Sequence, residues 1–217
     1  MAQLAVIFAE LDWIIRQRNS LSSGGLSPRK LPVIVCGDMN FEPYCSIFNF
    51  AVDGFIKYGG VHVDPNYSST IQKMPSNSDP SRKYPSLLPP SVGITDKCTI
   101  SDQPQSSQGD GILYHSLSLK SAYHMDYKIG EKTNGEGDAE DGNVQPAYEF
   151  MTTHHDRASN TVDFIFFNEN PKFQLVNTWS IPRIGCAPKI PDEGFGSDHF
   201  SVAANFILLA NENGILE

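Results

Sequence analysis

Asp38 and Asn40 are the polar side chains whose types and spacing first suggest chemistry. They lie in the tetrapeptide GDMN, directly after the β-branched run 33–36, which predicts a short, fully buried strand. If the extended geometry continues for one more residue pair, both side chains project to the same side, because residues two apart share a face of a strand. The carboxylate can hold a hard cation or orient a water molecule, and the amide can donate hydrogen bonds to a phosphoryl oxygen. The pair therefore suits a phosphate group beside a metal ion.

Asp163 and the adjacent residues Asp198 and His199 are the next candidates. Asp163 is embedded in the apolar segment 161–167, where an unpaired charge would be costly to bury, so this carboxylate requires a partner. A strand-edge Asp that caps a turn is the alternative. Asp198 and His199 end a Gly-containing loop directly before the apolar segment 200–208, and an isolated Asp-His pair is usually an ordinary loop feature. GDMN alone also has a plain alternative, a strand-to-helix turn.

A third group of polar residues precedes Asp163 and is predicted to lie at the rim of the same cleft. Arg157 is the better candidate for a phosphate, because a guanidinium group can bind two oxygens at once, and His155 is a second candidate for substrate binding. His154 and His155 do not predict a shared zinc ion, because neighbours on an extended chain point to opposite faces.

The elements that must position these residues are helices early in the chain and strands late. Residues 1–18 predict an amphipathic helix, and a second helix is expected from Pro43 to about Asp53, with Gly54 as its stop. The predicted inward residues are Leu4, Ile7, Phe8, Leu11, Ile14 and Ile15 in the first helix and Ile47, Phe48 and Ala51 in the second. Trp13, Trp179 and the Phe residues are also expected in the core. The predicted strand segments are 116–127, 147–153, 161–167, 173–180 and 200–208. This order is typical of α/β layering.

Composition limits the classes of protein that the chain can represent. With 217 residues and 40% hydrophobic content, one globular domain or a large part of one is expected. Lys and Arg number 16 against 25 Asp and Glu, and the net charge of −9 argues against a broad basic surface for nucleic acid. No secretory signal or membrane-spanning segment is predicted. Two irregular inserts are expected at about 61–111 and 130–145. The four cysteines form no close pair, which favours a reducing compartment.

Three motifs in order carry a resemblance to a known family. GDMN, followed by TVDFIFF at 161–167 and GSDHF at 196–200, resembles the second half of the endonuclease/exonuclease/phosphatase superfamily. The stretches 2–5, 119–123 and 152–163 are similar to its Angel branch, which is related to deadenylases of the carbon catabolite repression group. The first-half motifs, an asparagine near the N-terminus and a metal-binding glutamate in a Gln-Glu pair, do not occur. The resemblance implies that residues 1–217 form the C-terminal half of a four-layer α/β/β/α sandwich, the deoxyribonuclease-like fold.

The resemblance also implies a role for each candidate residue. Asp38 would orient or deprotonate the attacking water, and Asn40 would contact the phosphate. His199 would act at the scissile phosphate, with Asp163 as the partner that fixes its tautomer. Asp198 would lie at or near a metal site. The implied cofactor is Mg²⁺, with Mn²⁺ as an alternative.

The implied activity is that of a metal-dependent phosphoesterase, a hydrolase or nuclease of mRNA processing that acts on RNA ends in the cytoplasm or the nucleus. Two reactions fit: 3′-exonucleolytic removal of poly(A) and removal of a terminal 2′,3′-cyclic phosphate. The alternative is a catalytically incomplete fragment or isoform that acts as a binding or regulatory module. In that case a protein partner or a missing N-terminal half would cover the exposed face of the sheet.

Overall fold

A computed structural model provides the structure of the protein. It describes residues 1–21, 31–43, 45–58, 62–63, 70–71, 87–88, 91, 93–94, 111–123, 150–155, 158–183 and 186–209. The predicted insert at 130–145 lies outside these residues, and so does Arg157. No helix within the described ranges combines the length and the apolar character needed to cross a bilayer.

Helix α1, Ala2–Leu21, covers the predicted first helix and extends three residues beyond it. Its buried stripe contains Leu4, Phe8 and Asp12, spaced four residues apart on one face. Ile7 and Ile14 were predicted to be buried but are exposed, and Trp13 is exposed as well. The predicted face was too wide because it followed apolar residues only, whereas the true stripe includes a buried carboxylate. Trp179, Phe55 and Phe195 are likewise exposed rather than in the core.

Helix α2, Ser46–Asp53, begins three residues after the predicted Pro43 and ends where it was expected to end. Cys45 caps its N-terminus, with Sγ accepting a hydrogen bond from the backbone N–H of Phe48 at 3.4 Å. Gly54 ends the helix in the left-handed region with φ of 80°, and its N–H donates to the carbonyl oxygen of Phe50. A Cβ atom at position 54 would lie 2.9 Å from the carbonyl oxygen of His115, so glycine is required there for both reasons. Ile47, Phe48 and Ala51 are buried, as predicted.

The described strands are β1 Ile34–Asp38, β2 Phe55–Lys57, β3 His62–Val63, β4 Thr70–Ile71, β5 Ile112–Tyr114, β6 Leu119–Ser121, β7 Thr153–His155, β8 Ala158–Asn160, β9 Asp163–Asn168, β10 Phe173–Thr178 and β11 Ala204–Leu208. The central sheet has the order β1-β9-β6, and both of its pairings are antiparallel. Four two-stranded pairs accompany it: β2-β5, β3-β4, β7-β8 and β10-β11. The β3-β4 pair lies inside the region predicted as the irregular insert 61–111.

Strand β9 separates two hydrophobic clusters, because its side chains alternate between the faces of the sheet. Phe164 and Phe166 are fully buried and contact Phe48 of α2, at ring-centroid distances of 5.5 and 5.7 Å. On the other face, Phe167 lies 5.3 Å from the ring of Phe206 in β11. Helix α2 therefore covers one face of β9, and side chains of β10 and β11 pack against the other, which is an α/β arrangement.

Strand β1 is not the fully buried strand that its composition predicted. Val33 is buried and Val35 half-buried on the side of the helices, whereas Ile34 and Cys36 on the opposite side are exposed. In the described part of the chain β1 pairs only with β9, so it forms an edge of the sheet. Its outward face is left without the cover that a fully buried strand requires.

Candidate active site

The site is built on the last residue pair of the β1-β9 ladder. Asp38 ends β1, Asp163 begins β9, and the two residues face one another in the antiparallel register. Beyond this pair, the N–H of Met39 donates to the carbonyl oxygen of Val162 at 2.8 Å. Because directly opposed residues of neighbouring strands share a face, both carboxylates lie on one side of the sheet at one end. The ladder thus brings together two residues that are far apart in the sequence.

Asn40 lies next to Asp38 by a different route from the one predicted. Its φ of 51° shows that the chain leaves the extended geometry after Asp38, so the two side chains do not share a strand face. Instead, the Asp38 carboxylate accepts hydrogen bonds from the backbone N–H of Asn40 at 2.9 Å and from its Nδ2 at 3.3 Å. This is the local turn that Asp and Asn favour after a strand. It holds the Asp38 carboxylate and leaves the Asn40 amide a second N–H.

His199 lies between the two carboxylates. Its Nδ1 is 2.8 Å from Oδ2 of Asp163, and its Nε2 is 3.9 Å from Oδ2 of Asp38. The exposed fractions of these side chains are 31% for His199, 13% for Asp163 and 38% for Asp38. Nδ1 donates its hydrogen to the more buried carboxylate, which leaves Nε2 directed toward the more exposed one.

The surroundings of His199 raise its pKa above the usual value of 6.5. The largest cause is the hydrogen bond that Nδ1 donates to Asp163, and the negative charges of Asp163, Asp38 and Asp198 act in the same direction. Partial burial of the ring lowers the pKa and opposes part of this effect. The imidazolium form is therefore favoured, and in that form Nε2 carries a hydrogen that it can donate to an anionic oxygen.

Asp198 is exposed and precedes His199 in a loop whose two ends each form a hydrogen bond. The N–H of Ile190 donates to the carbonyl oxygen of His154 at 2.7 Å, and the N–H of His199 donates to Oγ of Ser197 at 3.1 Å. Asp38 and Asp198 carry the oxygen ligands that hard cations prefer. In the described ranges, however, no group of three His, Cys, Asp or Glu side chains is placed to hold a metal ion. The described residues therefore do not fit a complete metal site.

The remaining predicted substrate residues lie on the β7-β8 pair or beyond the described residues. His155 ends β7 and pairs with Ala158 of β8, and its side chain is half-buried. Thr153, two residues earlier, forms an isolated antiparallel bridge with His199, so β7 runs beside the site. Arg157 falls between β7 and β8 in the sequence and is outside the described residues. Its role in phosphate binding stays a prediction.

Thr152 is a residue next to the site to which the sequence assigned no role. It is fully buried, and its Oγ1 accepts hydrogen bonds from the backbone N–H groups of Val162 and Asp163, at 3.0 and 3.1 Å. In the sequence, Thr152 cannot be distinguished from its neighbour Thr153. The contact arises only when the folded chain brings the start of β9 next to Thr152. No sequence signal would have found it.

Comparison with known proteins shows similarity to the angel homologs. No family model matches the chain. Protein angel homolog 1 of Rattus norvegicus is 36% identical over 99 residues, which is 45% of this chain and 13% of that protein. Protein angel homolog 2 of Bos taurus is 23% identical over 252 residues, which is 96% of this chain and 41% of that protein.

Solved structures extend this relationship to the fold. A crystal structure of ANGEL2, described as a 2′,3′-cyclic phosphatase, matches with a TM-score of 0.56 and 25% identity, over 94% of this chain and 50% of that chain. A second ANGEL2 structure, in complex with adenosine-2′,3′-vanadate, matches with a TM-score of 0.55 and 24% identity, over 95% of this chain and 51% of that chain.

The chain therefore has the α/β fold of the endonuclease/exonuclease/phosphatase superfamily. Within it, the chain is homologous to the Angel proteins, which confirms the resemblance that its three motifs carried. It spans about half the length of the solved chain and less than half of the curated relatives it matches.

Proposed function

We propose that this chain supplies catalytic residues of a phosphoesterase that acts on RNA ends. The observation that carries the proposal is the position of His199 between Asp163 and Asp38 at the end of the β1-β9 ladder. A histidine whose pKa is raised by a partly buried carboxylate, beside a second and more exposed carboxylate, provides a cationic donor and a basic oxygen on one side of the sheet. Both groups can act in phosphoester hydrolysis, one by stabilising developing charge and the other by accepting a proton.

In the proposed mechanism, each residue acts through the atom that the structure leaves available. Asp163 holds the Nδ1 hydrogen, so Nε2 of His199 donates to a phosphoryl oxygen and stabilises the charge that develops there. Asp38 orients the attacking water or accepts its proton. Asn40 steadies the Asp38 carboxylate with one N–H and offers the other to the phosphate.

For the substrate, we propose an RNA that ends in a 2′,3′-cyclic phosphate. The ANGEL2 structures support this choice, since their protein is described as a 2′,3′-cyclic phosphatase. Deadenylation of a 3′-hydroxyl end is the competing reaction. The same proposal includes RNA as the partner, mRNA processing as the context, and the cytoplasm or the nucleus as the location.

We propose Mg²⁺ as the cofactor, with Mn²⁺ as the alternative. Asp198, the neighbour of His199 in the sequence, supplies a suitable carboxylate, and ligands beyond the described residues would complete the site. Such a cation, when bound, neutralises charge on the phosphate.

Parallel assays on two RNA substrates test the proposed reaction. One RNA ends in a 2′,3′-cyclic phosphate, and the other has the same body with a 3′-hydroxyl poly(A) end. We expect hydrolysis of the cyclic end, loss of activity in Asp38→Ala and His199→Ala, and loss on chelation that Mg²⁺ restores. Asp53→Ala, which removes an exposed carboxylate at the end of α2, should retain activity and controls for the change in charge. Full activity in Asp38→Ala or His199→Ala would refute the assignment, and shortening of the poly(A) RNA alone would refute the substrate.

A second candidate function, that of a binding module, is favoured by the exposed apolar side chains. Val176 and Ile207 lie exposed on the β10-β11 pair, with Trp179 just beyond it, and α1 exposes Val6 and Trp13. Apolar surface of this kind is typical of an interface, with a protein partner or with a complementary half of the domain. A chain that binds no Mg²⁺ at millimolar concentration in calorimetry and unfolds without cooperativity would favour the binding module. Mg²⁺ binding with cooperative unfolding would favour the enzyme.

A further inference from the structure

Thr152 contacts the two chain segments that carry the Asp163–His199 pair. On one side, its Oγ1 accepts hydrogen bonds from the consecutive N–H groups of Val162 and Asp163. On the other side, its carbonyl oxygen accepts a hydrogen bond from the N–H of Phe200 at 2.7 Å. The residues it contacts therefore include Asp163 itself and the immediate neighbour of His199.

The β-ladder contacts around Thr152 reinforce this link. Thr153, the next residue, forms the antiparallel bridge with His199, and the N–H of Thr152 donates to the carbonyl oxygen of Asn160 in β8. Backbone hydrogen bonds would hold the strands near one another with any side chain at position 152. The hydroxyl is the group of Thr152 that contacts the N–H of Asp163, at the start of β9.

We infer that Thr152 is a positioning residue, whose hydroxyl sets the main chain of Asp163 so that its carboxylate meets Nδ1 of His199. The catalytic consequence rests on the proposed function, but the geometric inference does not. The chemistry of the hydroxyl explains the requirement: it is a fully buried acceptor that serves two adjacent donors. A buried N–H that loses its acceptor must find another, and the backbone moves when it does.

Thr161 provides a matched control. It is also fully buried and lies two residues before Asp163, and its hydroxyl donates to the carbonyl oxygen of Phe150 at 2.7 Å. Thr161→Val removes a buried hydroxyl of the same shape, as Thr152→Val does. Only Thr152→Val removes the acceptor of the Asp163 N–H.

The Nδ1 hydrogen of His199 reports the inferred geometry directly. In nitrogen-labelled protein without substrate, we expect a slowly exchanging, low-field proton resonance from this group, assigned by its absence in His199→Asn. Thr152→Val should lose the resonance or broaden it, whereas Thr152→Ser, which keeps the acceptor, and Thr161→Val should retain it. Retention in Thr152→Val, or equal loss in Thr161→Val, would overturn the inference.

Thr152→Cys keeps the test decisive if Thr152→Val does not fold, because it replaces the hydroxyl by a weaker acceptor at nearly the same volume. A weakened resonance in folded Thr152→Cys would support the inference, and an unchanged one would overturn it.

In the RNA assay, Thr152→Val is expected to lower kcat by about 10- to 100-fold with little change in KM, since a small displacement of a catalytic group has an effect of this order. Thr161→Val should leave both constants within about twofold, in keeping with a hydroxyl that does not touch the pair. A change in KM with kcat unchanged in Thr152→Val would contradict the positioning role. If the wild-type chain hydrolyses neither RNA, the proposed function fails, and the resonance still decides the role of Thr152.

Discussion

Replacing Asp163 by Asn tests the pairing at the centre of the site, because it removes a charge and preserves the shape of the side chain. In the wild-type protein the Asp163 carboxylate accepts the Nδ1 hydrogen of His199 at 2.8 Å and is the largest cause of the raised pKa of His199. In Asp163→Asn, partial burial of the ring would be opposed by the charges of Asp38 and Asp198 and by a weaker hydrogen bond to a neutral acceptor. We therefore expect the pKa of His199 to fall.

The sign of the pH dependence follows from the direction of the shift. The pKa of His199 is higher in the folded protein than in the unfolded chain. Its pairing with Asp163 therefore makes its full contribution to the unfolding free energy below about pH 6.5. That contribution is lost as the pH rises through the folded-state pKa. The difference in unfolding free energy between wild type and Asp163→Asn should accordingly be larger near pH 6 than near pH 9.

The expected magnitude follows from the geometry. A hydrogen bond that involves a charged group contributes about 1.5–3 kcal/mol, and a neutral acceptor contributes roughly half as much. Water reaches part of the His199 ring, which is 31% exposed, so the lower end of this range applies. Asp163→Asn should therefore lower the unfolding free energy by about 1 kcal/mol near pH 6.

Two measurements check this prediction: urea unfolding near pH 6 and pH 9, and titration of the His199 ring by NMR. Asp38→Asn is the matched control, because it removes the same charge from a carboxylate that lies 3.9 Å from Nε2 and is 38% exposed. Its effect on the pKa of His199 should be smaller, since solvent screens an exposed charge more strongly. An unchanged pKa in Asp163→Asn, or an equal fall in both variants, would refute the reasoning.

Two further predictions concern the contacts that fix the loop between β5 and β6. Asp12 is buried and accepts hydrogen bonds from the N–H and Oγ of Ser116 at 2.9 and 2.6 Å. Asp12→Ala should thus lower the unfolding free energy by about 3 kcal/mol, and Ser116→Ala by about 1.5 kcal/mol; equal costs in urea unfolding would contradict this. The Nε2 of His115 donates to the carbonyl oxygen of Phe50, its Nδ1 accepts from the N–H of Leu117, and burial lowers its pKa below the usual 6.5. Stability should therefore fall as the pH drops below about 6.5, since the unfolded chain binds the proton first, and this part of the pH dependence should be absent in His115→Gln.

Local sequence patterns predicted those elements whose signals are short in range. Helix α2 was identified from its apolar spacing and its terminal Gly54, because both signals act within a few residues. Exposure was predicted less well. Ile34 and Trp13 are exposed although their residue types favour burial, since exposure depends on which other segments cover them. A sequence pattern does not state which face of an edge strand has a neighbour.

The candidate site was predictable in its residue types but not in its geometry. Asp38 and Asn40 were expected to share a strand face, yet they meet through a turn in which Asn40 adopts a positive φ. Asn tolerates that conformation better than most residues, so the same residue types permit both geometries. Thr152 had no signal, because only tertiary structure brings it against both the start of β9 and the segment that follows His199.

The register of the β1-β9 ladder connects the hydrophobic core to the site. Asp163 faces Asp38 only in the register that also places Phe164 and Phe166 against α2. Since side chains alternate along a strand, a slip of one residue would turn both rings out of the core and carry Asp163 to the opposite face. The aromatic packing that stabilises the fold therefore also selects the alignment in which Asp163 meets His199. A core substitution such as Phe166→Ala should consequently disturb this pair, although its side chain points to the other face of the sheet.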